Sequence, residues 1–196
     1  MNPSSALQYL LFLGIVTGMV KPLGGYMERV FSGKRTALDG LFRPAERVIY
    51  RIAGVDASQE MAASKYATCF LLFGGISTLL LFLILRLQNH FPWFYPAYHT
   101  TRISPDLAWN TAISFSTTTT WQAYAGENTM TYFSQIVGLC AQNFLAGAAG
   151  LAVGIAFIRG LARQLSSTLG NFWVDVTRGL LWILLPGALA GALFLV

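Results

Sequence analysis

The sequence predicts an all-α integral membrane fold: four transmembrane helices plus one re-entrant pore helix and filter loop, arranged as a helix–pore loop–helix repeat. Three observations predict it. The chain is 55% apolar and only 11% charged, about half the charge of an ordinary soluble domain, and its mean hydropathy is +0.54. It holds four charge-free apolar runs, each close to or above the roughly 18–20 residues a bilayer span needs. Between the second and third runs lies a polar but uncharged stretch, Asn110-Thr111-Ala112-Ile113-Ser114-Phe115-Ser116-Thr117-Thr118-Thr119-Thr120-Trp121-Gln122. A bilayer tolerates such a stretch only where protein covers it or where it lines water or ions.

The elements follow in chain order. Residues 1–22 form the first span, centred on Leu7 to Val20. It lacks the basic start of a secretory signal and runs directly into Lys21 and Pro22. Residues 23–65 form a loop. Eight of the thirteen Lys and Arg fall between Lys21 and Lys65, with five of the eight acids, for a local net charge of +3. That surplus makes the loop cytoplasmic and the N-terminus external. Although the pI is about 9.5, charge so distributed excludes a nucleic-acid-binding face.

Residues 66–158 form the helix–pore loop–helix repeat. Tyr66 to Leu85 is the second span, bounded by Lys65 and Arg86, and Asn128 to Ile158 is the third run, ending before Arg159. The intervening outer segment carries one basic residue, Arg102, together with His90, His99, Pro92, Pro96 and several aromatics that read as an interfacial belt. Residues 159–171 are a cytoplasmic linker, and 172–196 are the first helix of a second repeat. Cys69 and Cys140 fall inside spans, as packing residues. No metal-type Cys/His spacing exists, no metal other than potassium is expected, and no catalytic constellation is present.

Within the outer segment, Ser104-Pro105-Asp106 signals a helix start: a capping hydroxyl, a proline at the first helical position, and an acid at the positive end of the dipole. A helix over the next residues rises about 16 Å, half of the hydrocarbon core. Its C-terminus then presents partial negative charge, which favours a cation. Ser116 to Thr120 form the extended return, with Trp121 and Tyr124 as interfacial anchors. Carbonyls and threonine hydroxyls are ligands that hard cations prefer. Main-chain carbonyls of Ser116 to Thr120 would bind potassium, and Gln122 would brace the loop. A plain connecting loop is the competing reading. Gln142 and Asn143, polar within the third span, either support the filter, line the ion path, or pack between helices. Ala146, Gly150 and Gly154 offer a small-xxx-small face. Asp175 is expected to pair with Arg178, and Glu28, Asp39, Glu46, Asp56 and Glu60 to be solvated or partner-facing.

These stretches resemble the A-subunit family of the bacterial Kdp potassium-transporting ATPase, in the potassium transporter superfamily. The resemblance rests on Lys21-Pro22-Leu23-Gly24, Tyr26-Met27, Glu46-Arg47 and Tyr50-Arg51. It rests also on Asn110-Thr111-Ala112-Ile113-Ser114-Phe115, Thr117, Thr119, Trp121-Gln122, Tyr124 and Gly126-Glu127. Downstream it continues through Tyr132-Phe133-Ser134-Gln135, Gln142-Asn143-Phe144, Ile158-Arg159-Gly160 and Ser167 to Asp175. It implies a non-catalytic, potassium-selective subunit in the bacterial inner membrane that takes up external potassium through a channel-like filter. A partner P-type ATPase subunit would hydrolyse ATP, and small accessory subunits would complete the complex. By position the filter is Ser116, Thr117, Thr118, Thr119 and Thr120, supported by Trp121, Gln122, Asn110, Gln142 and Asn143. The family often has Asn where this chain has Thr118 and Thr120. A passive potassium channel or symporter subunit of the same superfamily is the alternative. With one repeat present and no second threonine loop, the chain is expected to be the N-terminal portion of a longer protein.

Overall fold

Among the residues that the computed structural model describes (3–90, 101–163 and 167–196), four helices are long and apolar enough to cross a membrane. They are Ser5–Phe31, Ala63–His90, Ser134–Ala162 and Phe172–Leu195. The expected histidine and aromatic belt falls mainly on residues 91–100, outside the described residues, as does part of the 159–171 linker.

Helix α1 spans Pro3–Phe31 and carries Pro22 inside it. It runs on past Lys21, because a charged side chain does not interrupt backbone hydrogen bonding. A short turn leads to α2, Asp39–Ala53, which ends at Gly54 in the left-handed conformation. The two-residue strand β1, Met61–Ala62, opens directly into α3, Ala63–Leu87. Helix α4, Pro105–Ser116, is short. A single turn, α5 (Gly126–Thr129), precedes a π-helical stretch, Ser134–Cys140, which continues into α6, Ala141–Ala162. Strand β2, Thr168–Gly170, pairs antiparallel with β1. Helix α7, Phe172–Arg178, passes through a second π-helical stretch, Gly179–Leu184, into α8, Leu185–Leu195.

Three apolar clusters hold these elements together. The first buries Phe172 against Tyr66, Ala148, Ala149, Ala152 and Ala156. Alanines at 148, 152 and 156 recur every four residues, so they line one stripe of α6 and let α3 and α7 approach closely. This corrects the small-residue face read from sequence: nothing lies within 4 Å of where a Cβ would sit on Gly150 or Gly154. Both patterns fit helical spacing, and only the neighbouring helices select between them. The second cluster joins Leu81 and Leu85 of α3 to Ala108, Ala112 and Phe115 of α4, with Met130 and Leu139 beyond. The third packs Val30 and Phe31 of α1 and Phe42 of α2 around Trp182.

At one end of the bundle the charges interlock. Arg159 grips Asp175 with both guanidinium nitrogens, at 2.6 and 2.9 Å, and donates onward to the carbonyls of Leu169 and Phe31. Tyr66 donates to the same carboxylate at 3.0 Å. Gly170 makes room for that guanidinium: its φ is +101°, and an added Cβ would overlap Arg159. Beside this node Arg178 meets Glu46 at 2.9 Å, Tyr50 donates to Glu46 at 2.7 Å, and Arg178 reaches the Val30 carbonyl. The expected Asp175–Arg178 pair is therefore replaced by two long-range pairs, and Glu46 is buried rather than solvated. A carboxylate stripped of water takes the best bidentate partner in reach, and sequence spacing does not decide which arginine that is.

Candidate functional site: the loop after helix α4

Helix α4 starts as its sequence dictates. Ser104 caps it, its hydroxyl accepting from the Leu107 N–H at 3.4 Å, and Pro105 opens the first turn. One face buries Ala108, Thr111, Ala112 and Phe115 against α3. The segments on either side of the helix and loop are pinned as well. Arg86 donates to the Ile103 carbonyl at 2.7 Å, and the buried Gln88 donates to the Thr129 carbonyl and accepts from the Thr131 N–H.

The loop leaving α4 turns back over the helix end. Thr117 bonds its N–H to the Ile113 carbonyl at 2.9 Å, and Thr119 and Thr120 both donate to the Ser114 carbonyl, at 3.0 and 3.1 Å. The Thr118 N–H faces the Phe115 carbonyl at 3.4 Å. Ser114 closes the turn: its hydroxyl accepts from the Trp121 N–H at 2.6 Å and donates to the Trp121 carbonyl at 3.1 Å. The N–H groups of residues 117–121 are thus all spent on the last turn of α4. The Thr117 carbonyl accepts from the Thr118 hydroxyl at 2.7 Å. Among the described residues, the carbonyls of Ser116, Thr118, Thr119 and Thr120 accept nothing.

The backbone alternates in hand. Thr117 has φ −98°, whereas Thr118 and Thr120 stand at +61° and +55°. Those two are the chain's only described residues other than glycine with positive φ. Left-handed conformations disfavour β-branched side chains, at a cost of about 1–3 kcal/mol each. Asn tolerates them, which gives a physical reason for the asparagines that the resembled family often carries at these two positions.

Several of the residues singled out in the sequence come together. Asn110, Thr117, Thr119 and Trp121, with Ser114, Trp109, Ile113 and Asp106, line one open groove of about 440 Å³. Gln142, 4% exposed, donates to the Ser116 hydroxyl at 3.0 Å and to the Ser77 hydroxyl at 3.2 Å, tying the end of α4 to α3 and α6. Asn143 is separate: it lies with Phe144, Ile183, Leu184, Gly187 and Ala188 along an open surface groove of about 370 Å³. Gln122 is exposed and makes no hydrogen bond among the described residues. Reading by residue type passed over Ser114 and Ser77. The available signal was a serine one turn before the threonine run, where its hydroxyl can reach the returning chain.

Fold and site together define a helical membrane protein in which a short helix and its polar return loop are held between long apolar helices. The chain belongs to the Potassium-transporting ATPase A subunit family, whose model matches residues 10–196. It is 51% identical, over its full length, to a potassium-transporting ATPase potassium-binding subunit of Koribacter versatilis and covers 33% of that protein. Subunits of the same name in Methylorubrum extorquens and Geobacter sulfurreducens are 50% and 47% identical over 97% and 100% of the chain, each again covered to 33%. The chain thus spans about a third of the length of the curated relatives it matches.

Proposed function

We propose that this chain supplies one segment of a potassium-selective filter in an ATP-driven uptake pump, with α4 as a re-entrant pore helix and Ser116 to Thr120 as the filter. The observation that carries the reading is the division of the loop backbone: its N–H groups are consumed by the end of α4, while four of its five carbonyls have no partner among the described residues. A run of carbonyls with no internal partner is suited to replacing an ion's hydration shell. The α4 C-terminus behind them adds the negative end of a helix dipole. The names of the relatives supply the ion: they are potassium-binding subunits of a potassium-transporting ATPase.

The rest of the assembly follows from that reading. Other segments complete the ring of carbonyls, a partner P-type ATPase subunit hydrolyses ATP, and small accessory subunits join it. This subunit itself is non-catalytic. Orientation is supported by the clustering of Arg159, Arg178 and the β1–β2 pair at one end of the bundle, with α4 packed near the other end of α3. Under the positive-inside rule the first end is cytoplasmic, the N-terminus is external, and potassium enters from outside the inner membrane. Neither the loop geometry nor the relatives' names favours the passive channel or symporter reading.

The test uses the full-length chain in its transporting complex. Thr118→Lys is expected to weaken potassium-dependent uptake at low external potassium at least about tenfold, because an ammonium would compete for the same carbonyls. Unchanged apparent affinity at normal expression would remove the filter assignment. Uptake that proceeds without ATP would move the chain to the passive class.

A further inference from the structure

Helix α2 presents three distinct faces, and named contacts fix its rotation. Phe42 stacks edge-on against Trp182 at 5.5 Å, and Glu46, four residues on, is held by Arg178 and Tyr50. That face is bound to the bundle. A second face carries Leu41, Val48 and Ile52, spaced i, i+7 and i+11, and these are 68%, 55% and 82% exposed. The third carries Arg43, Arg47 and Arg51 at a strict four-residue interval, all exposed. Arg43 pairs with Asp39 of its own helix at 2.8 Å, and among the described residues Arg47 reaches only the Arg43 carbonyl. Arg51 has no ion pair among the described residues. The arginine stripe borders the exposed apolar stripe.

The position of the helix matters as much as its pattern. Its bound face docks beside the Arg178–Gly179 step, where the apolar run of the last span begins, and Phe42 meets Trp182 within that run. A helix lying at a membrane edge, with apolar residues on one side, arginines next to them and low overall hydrophobicity, has the composition that partitions into the headgroup layer. Arginine guanidinium matches phosphate oxygens in a planar fork, and basic residues near a bilayer surface favour anionic lipid.

We propose that α2 is an anionic-phospholipid-binding helix: Leu41, Val48 and Ile52 enter the acyl boundary, and Arg43, Arg47 and Arg51 bind the phosphates of negatively charged headgroups. The site is independent of the filter reading, since it requires only that the apolar helices cross a bilayer. It gives the chain a specific dependence on lipid charge at the end of the bundle where its two buried ion pairs lie.

The experiment reconstitutes the full-length chain in nanodiscs of phosphatidylcholine alone and of phosphatidylcholine with one quarter phosphatidylglycerol. Hydrogen exchange across α2 and the lipids retained in native mass spectrometry are then read. Phosphatidylglycerol is expected to slow exchange at residues 41–53 at least about threefold and to be retained over phosphatidylcholine. The variant R43Q/R47Q/R51Q should lose both effects, and R43K/R47K/R51K should keep only part of them, since it retains the charge and not the guanidinium fork. Both variants leave Phe42, Glu46 and the Arg178 contact in place, so a folded helix is retained for comparison. Equal protection in detergent and in both bilayers would mean that protein covers the face, and would overturn the proposal. An unchanged preference for phosphatidylglycerol in the glutamine variant would overturn it too.

Discussion

Ser114 and Trp121 bond to each other in both directions: the Ser114 hydroxyl accepts from the Trp121 N–H at 2.6 Å and donates to the Trp121 carbonyl at 3.1 Å. One side-chain oxygen thereby fixes the two successive peptide planes that flank Trp121, seven residues on in the chain, and Ser114 is itself only 7% exposed. The carbonyls proposed to meet the ion lie between these two anchors, so their positions depend on this hydroxyl.

Ser114→Ala removes both bonds at once. Each is worth about 1 kcal/mol, so a loss of about 5–30-fold in apparent potassium affinity is expected. Turnover at saturating potassium should change less, since the ion's route beyond the loop is untouched. Ser114→Thr retains the hydroxyl and should restore most of the affinity. Potassium-stimulated ATPase activity of the complete complex, titrated with potassium, checks this.

Thr118→Asn and Thr120→Asn address the left-handed backbone. At φ +61° and +55° a β-branched residue is strained, and Asn is not. Each exchange is expected to stabilise the fold by up to about 1 kcal/mol, seen as a raised melting temperature of the purified protein. Thr118→Asn also removes the hydroxyl that occupies the Thr117 carbonyl. It should therefore change potassium affinity more than Thr120→Asn does.

Breaking the Arg159–Asp175 pair leaves a buried charge without its partner. Asp175→Asn should destabilise the protein by about 3–5 kcal/mol. Gly170→Ala should act on the same node, since the added methyl would overlap the guanidinium and φ is +101°. Thermal unfolding in detergent reads both. Asp175→Asn combined with Arg159→Met should recover part of the loss, because the orphaned charge is gone.

Glu60 sets a pH dependence on the loop before β1. The Thr168 hydroxyl bonded to its carboxylate, and then the Arg163 guanidinium, hold its pKa below the ordinary carboxylate value. A lowered pKa in the folded state means stability that is present above the ordinary value and lost as pH falls through the lowered one. The melting temperature should therefore drop on acidification below about pH 4.5, and Glu60→Gln should flatten that part of the profile.

The sequence by itself determined the apolar helices, the start of α4 and the composition of its loop. Hydropathy, charge placement and a Ser-Pro-Asp cap are local signals, and each acts within a few residues of where it is read. The ends of elements were less legible. Helix α1 continues to Phe31 through a proline and past the lysine that ends its charge-free run. Tertiary structure alone decided which alanine stripe of α6 packs, which arginine holds Asp175, and that Glu46 is buried. It also decided that the loop spends its N–H groups on the helix end and, among the described residues, leaves four of its five carbonyls open. These outcomes depend on which groups from distant segments are brought within about 3 Å in surroundings poor in water, where an unpaired polar atom costs most. Residue type and spacing carry no such information, because the same serine or arginine can serve any partner that the fold delivers.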